Sequence, residues 1–191
     1  LYIEGVQNNG IINHYEYIIN SEGTIEIRHV LKPEGKMPLW FPRIGLTLTV
    51  SDALDQVKWY GRGPQENYPD RKTGYPTGIY ASTVQAMYEP YLMPQDYGLR
   101  TDVRWLQLTT DKGIGLQFKM NEWFNFNIYP YSTDNLTKAM YTYQLQKQKG
   151  MTLNLDYATT GVGCTARGVF GAYKAMPQEY RRTISIKPMM K

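Results

Sequence analysis

Apolar residues recur at every second position along this chain far more often than at helical spacing. Over residues 43–50, Ile44, Leu46, Leu48 and Val50 fall on one side, with Arg43, Gly45, Thr47 and Thr49 on the other. That alternation is the mark of a half-buried β-strand, whose successive side chains point to opposite faces. The same pattern runs through Ile114, Leu116, Phe118 and Met120, and through Phe124, Phe126 and Ile128. It recurs in Met151, Leu153, Leu155 and Tyr157, and in Tyr180, Arg182, Ile184 and Ile186. Weaker alternation marks residues 15–19, 25–30, 57–60, 103–108 and 141–145.

Glycine-containing turns at residues 20–23, 111–113 and 149–150 lie between these runs and predict hairpins, so neighbouring strands are expected to be antiparallel. Only residues 132–139 read as helix, with Ser132 or Thr133 as N-cap and Leu136, Ala139 and Met140 at helical spacing. About ten strands with no linker and no internal repeat predict an all-β chain, one domain over residues 1–191, with two large antiparallel sheets packed face to face. Residues 61–102, rich in Gly, Pro and Tyr, are expected to lack strands. An irregular insert of that length is usually functional or an interface element.

Composition acts mainly by exclusion. Among 191 residues, 21 Lys+Arg stand against 17 Asp+Glu, and the net charge of +4 is dispersed. The densest basic pairs, Lys147 with Lys149 and Arg181 with Arg182, form no stripe able to neutralise a row of phosphates, so no nucleic-acid partner is expected. Cys164, the single cysteine, excludes an internal disulfide and a multi-cysteine zinc site, and no metal or cofactor is expected in this domain. No window approaches the roughly 18 consecutive apolar residues of a membrane helix, so a soluble protein is expected, with cytoplasm and periplasm left open. The start at Leu1 rather than Met suggests a piece of a longer polypeptide. The 17 Tyr and 4 Trp against 5 Phe suit half-buried sheet surfaces first, and stacking on sugars or bases second.

Candidate chemistry thins out on inspection. The cluster Gly61-Arg62-Gly63-Pro64-Gln65-Glu66 lacks the third glycine of a dinucleotide fingerprint, and Pro64 removes an amide that a phosphate would need. His14 and His29 sit within strand-like runs, in no nucleophile-and-base spacing with Cys164. Glycoside hydrolysis needs two carboxyl groups flanking the scissile bond, and Glu66 with Asp70, or Asp96 with Asp102, are the available pairs. Each pair has arginines close in the chain, Arg62 and Arg71 for the first, Arg100 and Arg104 for the second. A neighbouring guanidinium lowers a carboxyl pKa, the wrong direction for a general acid. These groups therefore read as loop-fixing ion pairs; no catalytic residue is assigned, and Arg62, Glu66, Asn67, Asp70 and Arg71 are assigned to a structural loop.

The string Trp59-Tyr-Gly-Arg-Gly-Pro-Gln-Glu-Asn-Tyr-Pro-Asp-Arg71 resembles the signature of the C-terminal domain, or small chain, of family 2 β-galactosidases. Residues 41–46, residues 91–105, and residues 153–156 followed by Gly161-Val162-Gly163 resemble the same family in the same order. The resemblance implies a large antiparallel supersandwich, similar in fold to galactose mutarotases, packed against a catalytic (β/α) barrel in the same polypeptide. It places both glutamates of the retaining mechanism in that barrel, with terminal β-D-galactosides as substrate at the domain edge. Homo-oligomer formation and any metal of the parent stay open.

Two segments depart from the family. Many members read Gln-Glu-Asn-Gly where this chain has Gln95-Asp96-Tyr97-Gly98, and residues 164–171 lack the tryptophan that stacks on sugar in well-known members. In that loop Phe170 is the candidate stacking side chain and Arg167 the candidate polar contact, with Phe170 pointing into the core as the competing reading. A removed partner surface also predicts an exposed aromatic patch, with Tyr75, Tyr80, Tyr88, Tyr91 and Trp105 as candidates. The alternatives are a free-standing carbohydrate-binding sandwich and a mutarotase-like epimerase, the latter needing a histidine and a carboxylate on the concave sheet.

Overall fold

The computed structural model describes residues 10–164 and 168–190 in full, and residues 2–4 as backbone. Its strands are β1 (Tyr2–Glu4), β2 (Gly10–Ile19), β3 (Ile25–Glu34), β4 (Arg43–Val50), β5 (Gln56–Arg62), β6 (Thr77–Thr83), β7 (Arg100–Thr109), β8 (Gly115–Tyr129), β9 (Met151–Thr159) and β10 (Tyr180–Met189). All are antiparallel to their neighbours. The one α-helix among the described residues, α1 (Thr133–Lys138), starts at Ser132, whose side chain accepts from the Asn135 amide. That cap satisfies one of the amides a helix start leaves open.

The strands run in the order β1-β2-β3-β10-β8-β7-β5-β6, and β4 and β9 branch from β8. The strands of the expected all-β sandwich are joined in one continuous, branched sheet. Its hinge is the 15-residue β8. Residues 115–120 of β8 pair with β10, whereas residues 125–129 pair with β9. In sequence β8 reads as two strands because Asn121, Glu122 and Trp123 are exposed and interrupt the apolar alternation. The backbone nevertheless continues and carries the chain from one wing to the other.

The two wings close on a shared core. The Trp59 ring of β5 meets Phe126 of β8 edge-on at 5.9 Å. His29 of β3 and Tyr157 of β9, on strands that do not pair, are joined by a 2.7 Å hydrogen bond. Burying apolar area of this kind stabilises by roughly 25 cal/mol per Å², and Trp59, Phe118, Phe124, Phe126, Leu153 and Leu155 are all essentially inaccessible to water.

Strand β9 departs from the half-buried expectation, because all of Met151–Tyr157 is buried. Its Leu153 and Leu155 enter the core, while Thr152, Asn154 and Asp156 face the other way and are covered as well. Gly45 of β4 lies against it so closely that a Cβ there would sit 2.3 Å from the Leu155 carbonyl, at the β-bulge between Ile44 and Gly45.

Two expectations fail locally. Residues 61–102 contain β6, which pairs with β5 along Thr77–Thr83; its alternation is weak because Ile79 points to solvent at 61% exposure. Residues 141–145 form a 3-10 turn over Thr142–Gln144 instead of a strand. There the Gln144 side chain accepts from the Met140 and Tyr141 amides and so curls the backbone. Lys149-Gly150 accordingly leads into β9 without closing a hairpin. Among the described residues no helix is long and apolar enough to cross a membrane.

Candidate functional site

The loop after β5 is built on buried acceptors. Glu66, 6% exposed, accepts from the Arg71 guanidinium at 2.9 Å, the Gly98 amide at 2.9 Å and the Tyr68 hydroxyl at 3.1 Å. The Tyr91 hydroxyl also donates to it. Asn67 is fully buried; its side-chain oxygen accepts from the Thr101 amide and hydroxyl, and its amide group donates to the Gln65 carbonyl. These bonds tie the loop to the start of β7. The Arg71 guanidinium also lies 5.2 Å from the Tyr68 ring centre, a cation–π contact that fixes its plane.

The remaining partners differ from those that chain proximity suggested. Arg62 pairs with Asp102, at 2.5 Å, and donates to the Lys72 and Tyr75 carbonyls. Lys72 holds the other Asp102 oxygen at 2.9 Å. Burial acts to raise the Asp102 carboxyl, but the hydrogen bonds from Arg62 and Lys72 outweigh it and the net shift is downward. Asp96 pairs with Arg43. Arg100 donates to the Gly98 carbonyl and lies over Trp59 at 5.4 Å, and burial lowers its pKa to about 10. Arg104 lies over Trp123 at 4.0 Å. Asp102 has φ +55° and sits where the register of β7 shifts between Arg100 and Val103, so its spacing from Arg100 and Arg104 does not set its partners.

Among the described residues no arginine is hydrogen-bonded to Asp70. Its two oxygens accept from the backbone amides of Val162, at 3.0 Å, and Gly163, at 2.7 Å. Gly161 leaves the room this needs, since a Cβ there would lie 2.3 Å from the Asp70 carboxyl carbon. Gly163 has φ +68°, a left-handed conformation that glycine adopts without steric cost.

Beside this clamp opens a cleft of about 800 Å³ bordered by Arg43, Tyr68, Arg71, Tyr91, Asp96, Tyr129, Gly163 and Cys164. Behind it, a single Arg43 nitrogen reaches Asp156 at 2.9 Å and both Asp96 and Asn127 at 3.3 Å. Asn127 donates on to Asp96, and Asn154 donates to Asn127 and to the Tyr129 hydroxyl. Burial pushes the Asp156 carboxyl up to about 7 despite Arg43. A raised carboxyl beside a second carboxylate is the signature sought in a glycosidase, yet Asp156 is 2% exposed and lies behind Arg43 and Thr159. It cannot reach a sugar. Arg43 and the polar face of β9 were not among the candidates, although Thr152, Asn154 and Asp156 form the polar half of a visible alternation.

Phe170 is 64% exposed, which removes the core reading. It stands just before the 3-10 turn Gly171–Tyr173 and outside the cleft lining. Arg167 lies outside the described residues. Tyr75, Tyr80, Tyr88, Tyr91 and Trp105 are half-buried and do not form the expected patch; the Tyr88 ring, for instance, packs edge-on against Tyr97 at 5.3 Å. Exposed aromatics occur elsewhere, with Trp123 at 60% and Tyr143 at 78%. Of the histidines, His14 is exposed, and His29 is enclosed with its ring nitrogens hydrogen-bonded to Tyr157 and Asn13. Neither is among the residues bordering the cleft. Among the described residues no group of three or more His, Cys, Asp or Glu could hold a metal ion.

The strings 41–46, 59–71, 91–105 and 161–163 thus meet around one cleft and its clamp, with Asp156 of the string 153–156 bound to Arg43 behind it. The family model of the beta galactosidase small chain matches residues 4–186. The chain belongs to that family. A Beta-galactosidase of Priestia megaterium is 36% identical over 84% of this chain and 16% of its own length. One from Vibrio cholerae is 39% identical over 64% of the chain and 11% of its own length, and one from Photobacterium profundum 30% identical over 95% and 18%. The small-chain sequence therefore spans less than a fifth of each of these relatives.

Proposed function

We propose that this small chain is a non-catalytic, C-terminal part of a β-galactosidase, packed against a catalytic barrel of the same polypeptide and forming one edge of the pocket that receives a terminal β-D-galactoside. The observation that carries this reading is the engagement of the carboxylates around the clamp and cleft. A retaining glycosidase needs two carboxyl groups about 5–5.5 Å apart and open to the scissile bond. Here Glu66 is saturated by four donors, Asp70 by two backbone amides, and Asp102 by Arg62 and Lys72. Asp156 is buried behind Arg43. Groups so engaged hold loops in place. Bond cleavage then falls to the barrel's glutamates, as the resemblance implies.

The sugar contact is assigned to residues 164–171, with Phe170 covering an apolar face of galactose and Arg167 meeting its hydroxyls. The exposure of Phe170 supports this, since an aromatic ring in solvent on a loop whose first residue lines the cleft is available for stacking. The test is Phe170→Ala in the full-length polypeptide. A raised KM for a galactoside with an unchanged melting temperature is expected, and an unchanged KM would overturn the contact.

A further inference from the structure

The reach of Asp70 joins two parts of the molecule that are 92 residues apart in sequence. On one side is the ion-paired loop after β5. On the other is the stem of the segment assigned above to sugar contact. We propose that Asp70 is the positioning residue of that segment: its carboxylate holds the Val162 and Gly163 amides and so fixes the stem from which the segment departs, governing galactoside affinity without touching the sugar. This rests on the preceding reading of the loop.

Three observations carry the assignment. Successive backbone N–H groups turned to one side make a concavity for an anion, and here the anion is a side chain, with one oxygen on each amide at 3.0 and 2.7 Å. Charge-assisted bonds of this kind are shorter and stronger than neutral ones. Next, the clamp has matched parts. A Cβ at Gly161 would lie 2.3 to 2.5 Å from the three carboxyl atoms of Asp70, so a side chain there and the bound carboxylate exclude each other.

Finally, both ends of the clamp are fixed. Asp70 lies in a tight turn closed by reciprocal backbone bonds between Tyr68 and Arg71, directly beside the buried Glu66 network. The stem is held by Gly161 donating to the Tyr173 carbonyl and Thr160 donating to the Pro42 carbonyl. Across it, the loop's entry and exit touch. A Cβ at Gly163 would lie 2.7 Å from the Gly168 carbonyl carbon, and the Gly168 amide donates to Cys164. Between these fixed points lie the Val162 and Gly163 peptide units, and these are what Asp70 holds.

The experiment uses the full-length polypeptide and two variants, Asp70→Asn and Gly161→Ala. The amide of Asp70→Asn keeps one acceptor and turns an N–H donor toward a backbone N–H; Gly161→Ala displaces the carboxylate from the other side. Each is expected to speed hydrogen exchange in the peptide containing Val162 and Gly163. Each should also raise KM for a chromogenic β-galactoside about tenfold, the equivalent of about 1.4 kcal/mol, with kcat within twofold. The double variant should be no worse than the more affected single one, because both remove the same contact. Unchanged exchange overturns the clamp. Faster exchange with unchanged KM, a lowered melting temperature alone, or additive effects in the double variant overturn the positioning role. A wild-type polypeptide that does not hydrolyse the galactoside overturns the underlying reading instead, and the exchange measurement still judges the clamp.

Discussion

Asp156 lies 2.9 Å from Arg43 with its side chain 2% exposed, at the closed back of the cleft. Its burial outweighs the guanidinium and pushes the carboxyl from 3.8 up to about 7. The folded protein therefore keeps a proton that the unfolded chain releases. The stability this group supplies is complete below about pH 3.8 and is lost as pH rises through about 7. Asp156→Asn should remove that decline, seen as a flatter melting temperature from acid to neutral pH. Parallel profiles for the two proteins would contradict the burial argument.

His29 slopes the other way. Its ring is stacked on Tyr15 at 4.1 Å, and burial lowers its pKa from 6.5 to about 4. The unfolded chain takes up a proton that the folded protein excludes. The stability contributed is thus full above about pH 6.5 and is lost as pH falls toward about 4. Urea midpoints compared between neutral pH and pH 5 should fall more for the wild type than for His29→Gln. An equal fall would show that His29 is not the group responsible.

Glu66 and Arg71 form an ion pair whose two ends are unequal, 8% and 50% exposed at their side chains. Removing a buried acceptor costs about 1–3 kcal/mol for each buried donor it leaves unsatisfied. Glu66→Ala strands Tyr68, Tyr91, Arg71 and the Gly98 amide together. Arg71→Ala leaves Glu66 with three donors and should cost about 1 kcal/mol, the upper range for a solvent-accessible pair. Urea denaturation distinguishes the two, and equal losses would contradict the assignment of Glu66 as the centre of the loop.

Much of this architecture is legible from side-chain alternation, because a residue's burial in a sheet repeats every second position. Residues 43–50, for instance, coincide with β4. The reading failed where that period was masked. At β6 the apolar Ile79 faces solvent, and in β8 the exposed residues 121–123 cut one strand into two. The alternation in β9 predicts a half-buried strand, as on a sheet with one wet face, whereas Asn154 and Asp156 are covered and hydrogen-bonded. The cleft was hidden for a related reason. The β4–β9 pairing and the loop before β7 bring together Arg43, Asp156 and Asp96 from three distant segments, and no local spacing encodes that meeting. Asp70 was singled out from its own neighbourhood, but its partners lie on the far side of the sequence at Val162 and Gly163.

The central claim is that this chain shapes a sugar pocket without doing the chemistry. Hydrolysis of a chromogenic β-galactoside, measured side by side for the full-length polypeptide and for the purified small chain, tests it most directly. The account predicts turnover by the full-length polypeptide and only the buffer rate for the chain alone. Turnover by the pure chain, or a full-length polypeptide that leaves the galactoside intact, would contradict it.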